Sequence, residues 1–202
     1  SSYLGMGCDW GRMYAWSVHQ NVAYGSGREC GVHMVDVSDP SDPHFLNTYS
    51  DPSMEDLRYE HSEVHRSKLY LSRHQQGVEV LDISQAGAIT QIAVIPAENA
   101  WSSLAFDDYL YIADGAAGIK IVSLENTLEP IVIASLATSG TAKDLSLSGS
   151  YLFVAVGAAG VDMIDVSNPQ APLFRDNYNT TGYASRVSAN ESRVAVSDWD
   201  DV

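Results

Sequence analysis

Positive charge is what this chain most lacks. Its 202 residues carry 11 Lys plus Arg against 26 Asp plus Glu, a formal charge of −15. A surface so poor in cations neutralises few phosphates, so nucleic acid is excluded as a main partner, and anionic membrane surfaces repel it. Long apolar runs are missing as well. No stretch approaches the roughly 18 uninterrupted apolar residues of a membrane-spanning helix, so no direct membrane insertion is expected. The chain starts SSYLGMGCDW, with neither an initiator Met nor a basic segment leading into an apolar core, and stops at DWDDV; the expectation is a processed or truncated chain. Catalytic signatures are equally scarce: G-x-S-x-G, H-E-x-x-H, G-x-G-x-x-G, C-x-x-C and the C-x-x-C-H haem attachment are all absent. With 45% apolar and 18% charged residues the composition is still that of a folded protein, and its length suits one domain or part of a larger one.

What the chain has is a repeat. The segments GVHMVDVSDP from Gly31, GVEVLDISQA from Gly77, GIKIVSLENT from Gly118 and GVDMIDVSNP from Gly160 start 46, 41 and 42 residues apart. A second motif precedes each: NVAYGSG, KLYLSRH, YLYIADG and YLFVAVG, with RVAVSDW from Arg193 opening a further copy. These aromatic and β-branched runs end in turn residues and read as strands. Before them lie YAWSV, EHSEV, WSSLA, KDLSL and SRVSA, and after the Gly motif come HFLNTYS, ITQIAVI, IVIASLA and LFRDNYN. Each repeat therefore holds four short strands, and no segment shows sustained helical periodicity with caps. A four-stranded antiparallel unit cannot bury both faces alone; stacking such units radially as blades solves the problem. The expected fold is all-β, a β-propeller of four-stranded antiparallel blades with about five repeats present and more chain expected. The units fall near 1–13 (partial), 14–57, 58–99, 100–141, 142–183 and 184–202 (partial), within one domain. Blade number stays open between five and eight.

GVHMVDVSDP and GVDMIDVSNP, with YIADG before GIKIV, resemble the LVIVD repeat. That resemblance implies a β-propeller of the kind found in bacterial and archaeal surface or exported proteins. Ser123 departs from the pattern, replacing the Asp of Asp36, Asp82 and Asp165, and the second copy lacks the Pro-containing turn.

Several residues are candidates for chemistry. Aligning the repeats places His61 with Ala15, Ser102, Asp144 and Arg186, a column expected to face the central channel from the innermost strands. Such a lining can bind a small anion, a metal or a substrate, although polar linings are ordinary where water fills the channel. His19 and His65 fall in the loops between first and second strands, and His44 follows a turn on the same face; three imidazoles could ligate a transition metal if the loops converged. Asp198, Asp200 and Asp201 form a second acidic candidate, with a solvated turn as the alternative. Asp36, Asp39 and Asp42 could likewise attract a hard cation, but their spacing reads as turn chemistry. No cofactor is firmly implied.

Cys8 and Cys30 lie in loops expected on one face, so a disulfide between them is geometrically open and would mark an oxidising compartment; two free thiols are the alternative. Asn179 and Asn190 head glycosylation sequons. Tyr3, Trp10, Tyr14, Trp16, Tyr59, Trp101, Tyr183 and Trp199 are candidate contact aromatics near one rim, or interblade core. The leading expectation is a secreted, periplasmic or cell-surface binding and assembly scaffold, recognising protein or carbohydrate through loops and blade edges. The alternatives are an enzyme subunit with a ligand or metal in the channel, and an oligomer or filament subunit.

Overall fold

A computed structural model describes residues 13–27, 31–50, 59–85 and 88–199. Among these the regular structure is all strand, with no helix. Four four-stranded sheets form in chain order: β1 (Met13–His19), β2 (Val22–Gly27), β3 (Gly31–Asp36) and β4 (His44–Tyr49); β5 (His61–His65), β6 (Lys68–Ser72), β7 (Val78–Asp82) and β8 (Thr90–Ile95); β9 (Ser102–Phe106), β10 (Tyr109–Ala113), β11 (Ile119–Ser123) and β12 (Ile131–Leu136); β13 (Asp144–Ser148), β14 (Tyr151–Ala155), β15 (Val161–Asp165) and β16 (Leu173–Tyr178). A fifth, two-stranded sheet holds β17 (Tyr183–Asn190) and β18 (Arg193–Trp199). Each sheet is an antiparallel meander, the blade that the repeat predicts.

The blades stand side by side through their first strands: β1 meets β5, β5 meets β9, β9 meets β13 and β13 meets β17. Apolar clusters fill the spaces between sheets. Tyr24 and Met34 of the first blade pack with Leu69, Leu81 and Ile83 of the second. Tyr70 and Val80 pack with Leu110, Val122 and Leu124 of the third, and Tyr111 and Ile121 with Leu152, Ile164 and Val166 of the fourth. The same three positions of each blade thus cover the same aromatic–aliphatic pair of the blade before, which is why the sequence repeats there. Middle strands bury both faces, so β2, β6 and β10 are nearly continuous apolar runs, whereas the outer strands β4, β8, β12 and β16 are largely exposed.

The glycine opening each third strand has a backbone reason. Gly31, Gly77, Gly118 and Gly160 take φ between 76° and 86°, and a Cβ there would lie 2.2–2.3 Å from the carbonyl oxygen ending the fourth strand. At the other end of β3, β7 and β15, Asp36, Asp82 and Asp165 accept the backbone N–H two residues on at 2.8–2.9 Å. Such Asx turns stop the strand and hold the three carboxyls below the usual carboxylate range, the serine hydrogen bonds being the main cause.

Candidate functional site

Strand register places the inner column directly. Ala15, His61, Ser102, Asp144 and Arg186 pair respectively with Ser26, Ser72, Ala113, Ala155 and Ser197, the equivalent small residue of each second strand. Blades then lean on one another through these side chains. Asp144 Oδ2 accepts the N–H of Val187 at 3.0 Å, and Oδ1 lies 3.6 Å from Arg186 Nη1. Two residues along the same strand, Ser146 Oγ accepts the Ala189 N–H at 2.9 Å, and in the second blade Glu63 Oε1 accepts the Ala105 N–H at 3.3 Å. Asp144 of the column, with Ser146 and Glu63 two residues further along their strands, therefore latches adjacent inner strands together. Ser102 is buried. Burial lowers His61 to about 4, with Asp144 pulling the other way and Arg186 adding to the fall; its Nδ1 is buried without a hydrogen-bond partner.

One residue before the column, on the face where the first strands begin, lies a second layer. The N–H groups of Glu60, Trp101 and Lys143 donate to Ser72, Ala113 and Ala155, so three blades project these side chains from one position. Glu60 Oε1 is 2.8 Å from His74 Nε2, and Asn99 Oδ1 is 2.7 Å from His74 Nδ1. The His74 ring meets Trp101 edge-on at 4.5 Å between centroids, and Lys143 Nζ sits 3.2 Å from the centre of the indole. Burial lowers the Lys143 ammonium, with Glu60 opposing. An acid, an imidazole, an indole and an ammonium thus run in unbroken contact across three blades.

His74 also holds an unusual backbone. Its φ of 50° belongs to a left-handed position that Gly115 and Gly157 occupy in the next two blades, each bridging the following blade as His74 bridges Ala100. A side chain there costs about 1 kcal/mol or more in strain, which the next two blades avoid with glycine at the equivalent turn. The signal was present in RHQQG set against DGAAG and VGAAG, where a histidine replaces the turn glycine. Beneath it, Arg73 Nη1 and Glu79 Oε2 form a fully buried ion pair at 3.1 Å; Tyr49 of the first blade donates its hydroxyl to Glu79, and Arg73 lies over the Tyr59 ring. Sequence reasoning missed this network, because its members come from three separated segments.

The remaining candidates do not converge. His19 Nε2 lies 3.2 Å from Ser67 Oγ and His65 Nε2 lies 2.8 Å from the Asp107 carbonyl, so each joins the turn of the next blade; His44 faces Asp42 at 3.4 Å. Asp39 accepts from the Ser41 N–H and hydroxyl. Asp198 falls within β18 and caps the loop before β17, accepting from Thr180 and Gly182. Among the described residues, no three or more His, Cys, Asp or Glu are grouped to hold a metal ion. Asn179 and Asn190 are exposed. Of the aromatics, Tyr59 is core, whereas Trp16, Tyr183 and Trp199 reach solvent. Cys8, Cys30, Asp200, Asp201, Tyr3, Trp10 and the Tyr14 side chain lie outside what the structure describes.

The LVIVD repeat profile matches residues 17–51, 99–138 and 139–180, more than half the chain. The chain belongs to the LVIVD-repeat family. In structure the LVIVD blades resemble the computationally designed Ika8 protein at a TM-score of 0.70 and 8% identity, over 91% of this chain and 54% of that one. They also resemble the designed Ika4 protein (TM-score 0.61, 10% identity, 81% and 97% covered) and BamB from Moraxella catarrhalis (0.63, 13%, 93% and 55%). The chain spans about half the length of Ika8 and of BamB. At these identities the likeness is one of fold, a β-propeller. No curated protein matches the chain. The LVIVD pattern itself accounts for Gly31, Gly77, Gly118, Gly160 and the Asx turns; it does not account for His74, Trp101 or Lys143.

Proposed function

We propose that this chain is a secreted, periplasmic or cell-surface scaffold that binds protein or carbohydrate through the face carrying Glu60, His74, Trp101 and Lys143, without chemistry in the channel. One observation carries the reading: the channel carboxyls are committed to backbone N–H groups of neighbouring blades, while the side chains that break the repeat gather on one face. That face sets a partly exposed indole and ammonium, Trp101 and Lys143, beside the largely buried Glu60–His74 pair, an aromatic and a cation of the kind recognition surfaces use.

His74→Gly with Lys143→Ala tests it, because glycine is what the fold already uses at this turn. A photo-crosslinking residue at position 101 should capture a partner in intact cells, one at exposed position 85 on the opposite turn should not, and the double variant should lose the adduct while melting normally. Equal crosslinking from both positions, or an enzymatic turnover abolished by Asp144→Asn, would overturn the proposal. Protease access to the protein in intact cells tests the compartment.

A further inference from the structure

Lysine is rare in this chain, and the three that occur are placed differently. Lys68 Nζ reaches Asp82 Oδ2 at 3.0 Å and Lys120 Nζ reaches Asp114 Oδ2 at 2.8 Å, so each has a carboxylate on its own blade. Lys143 has none: among the described residues its ammonium is met by the Trp101 ring, 3.2 Å from the ring centre, and by no carboxylate oxygen at ion-pair distance. Glu60 attracts it from further off, with Oε1 directed to His74 Nε2. The other described lysine or arginine without a carboxylate, Arg193, is exposed at the end of a hairpin, where water solvates it. Lys143 is half-buried. An indole face favours the charged form of the amine but offers no hydrogen-bond acceptor to its three N–H donors. The turn beside it is also low. Ala142 bridges Gly115, and the turn continues through Ala116 and Ala117, where the second blade carries His74, Gln75 and Gln76. Nothing larger than a methyl group therefore projects from that turn.

We propose that Lys143, held on Trp101, receives a single carboxylate side chain of a protein partner, and that this ion pair fixes the partner's position on the face. The inference rests on the face carrying Glu60, His74, Trp101 and Lys143 being the recognition surface; it adds which group of the partner is read. Two observations limit the class. Lys143 covers one face of the indole and the His74 ring stands against the same indole edge-on, so the flat aromatic surface on which a sugar ring stacks is taken up, which favours a side chain over a saccharide. The formal charge of −15 repels an acidic tract, but salt screens charges beyond about 8 Å, so at contact the ammonium governs while the remaining acids act on the groups around it. The segment that fits is neutral or basic with one Asp or Glu in it.

A random peptide library displayed on phage and selected on the intact protein, with Lys143→Met as the counter-selection, tests the proposal. Methionine keeps a straight apolar stem over the indole and removes the charge. Peptides retained by the parent alone should carry one Asp or Glu in a neutral or basic sequence. Gln in place of that residue should weaken binding about tenfold, between the effect of an exposed pair and that of a buried one, and Lys143→Arg should keep most of the affinity. The Gln exchange is made in the peptide and read on the unaltered protein, so it holds whatever substitution at 143 does to the fold. No peptide that tells the parent from Lys143→Met, retention that survives the Gln exchange, or basic peptides bound more tightly by Lys143→Met overturns the proposal. Lys143-dependent binding of polygalacturonate in place of peptides assigns the ammonium to an acidic saccharide and overturns it as well. Peptides that bind parent and Lys143→Met alike, yet lose affinity on His74→Gly, overturn it while leaving the recognition face in place.

Discussion

Glu63→Gln should make the protein more stable, and only above acidic pH. Glu63 sits on β5 beside β9, and burial raises its carboxyl to about 7 against the hydrogen bond from Ala105, which lowers it. In the unfolded chain the group titrates near 4.5. Below that value both states hold the proton and nothing is lost. Between 4.5 and 7 the unfolded chain has released its proton while the folded one retains it, so stability falls as pH rises, by about 1.4 kcal/mol per unit. The accumulated cost at pH 8 is about 3 kcal/mol, reduced to about 2 by the residual solvent access of the side chain. Glutamine keeps the shape and the acceptor and never ionises. The difference between variant and parent should therefore be near zero at pH 4.5 and about 2 kcal/mol at pH 8, a shift of roughly 4–8 °C in Tm. Urea unfolding at half-unit pH steps measures it. A difference that is constant across the range, or a variant less stable at pH 8, would refute the reasoning.

Other substitutions separate other parts of the account. His61→Phe should remove an acid sensitivity: with the folded value near 4 and the ordinary one at 6.5, the histidine's contribution is present above 6.5 and lost as pH falls through 4, up to about 3 kcal/mol. Since Glu63 slopes the opposite way in nearly the same window, the parent should show a flat stability profile there and each single variant a tilted one. Glu79→Ala removes a buried carboxylate from the buried Arg73 guanidinium and should cost about 3–5 kcal/mol by denaturant titration. Gly118→Ala forces a Cβ to within 2.3 Å of the Leu136 carbonyl and should cost about 2 kcal/mol or more, visible as a lowered Tm. Ile164→Ala opens a cavity between the third and fourth blades and should cost about 2–5 kcal/mol.

The blade was legible because its rules are local. A glycine forced to positive φ, alternating aliphatics and an Asx turn recur within ten residues of each other, so spacing alone exposes Gly31, Gly77, Gly118 and Gly160 and aligns His61 with Asp144 and Arg186. What the column does was not legible. That Asp144 reaches the Val187 amide depends on how closely two inner strands approach, which no periodicity encodes. Arg73, Glu79 and Tyr49 illustrate the same limit: an arginine beside a turn and a glutamate alternating in VEVLD read as surface residues until the neighbouring blade covers them. Phe153 and Met163 match their buried counterparts in character, yet they are half-buried beside a sheet that has two strands among the described residues.

The latches between inner strands all span one repeat: 45 residues from Ser17 to Ser62, 42 from Glu63 to Ala105, and 43 from Asp144 to Val187. Among the described residues each unit thus leans on the next through these bonds, and none of this set reaches across the molecule. Such a chain behaves as a one-dimensional series whose cooperativity is passed from neighbour to neighbour. Units can be gained or lost by gene duplication without any surviving unit needing a new kind of partner, so the number of blades is free to drift while the blade itself stays fixed.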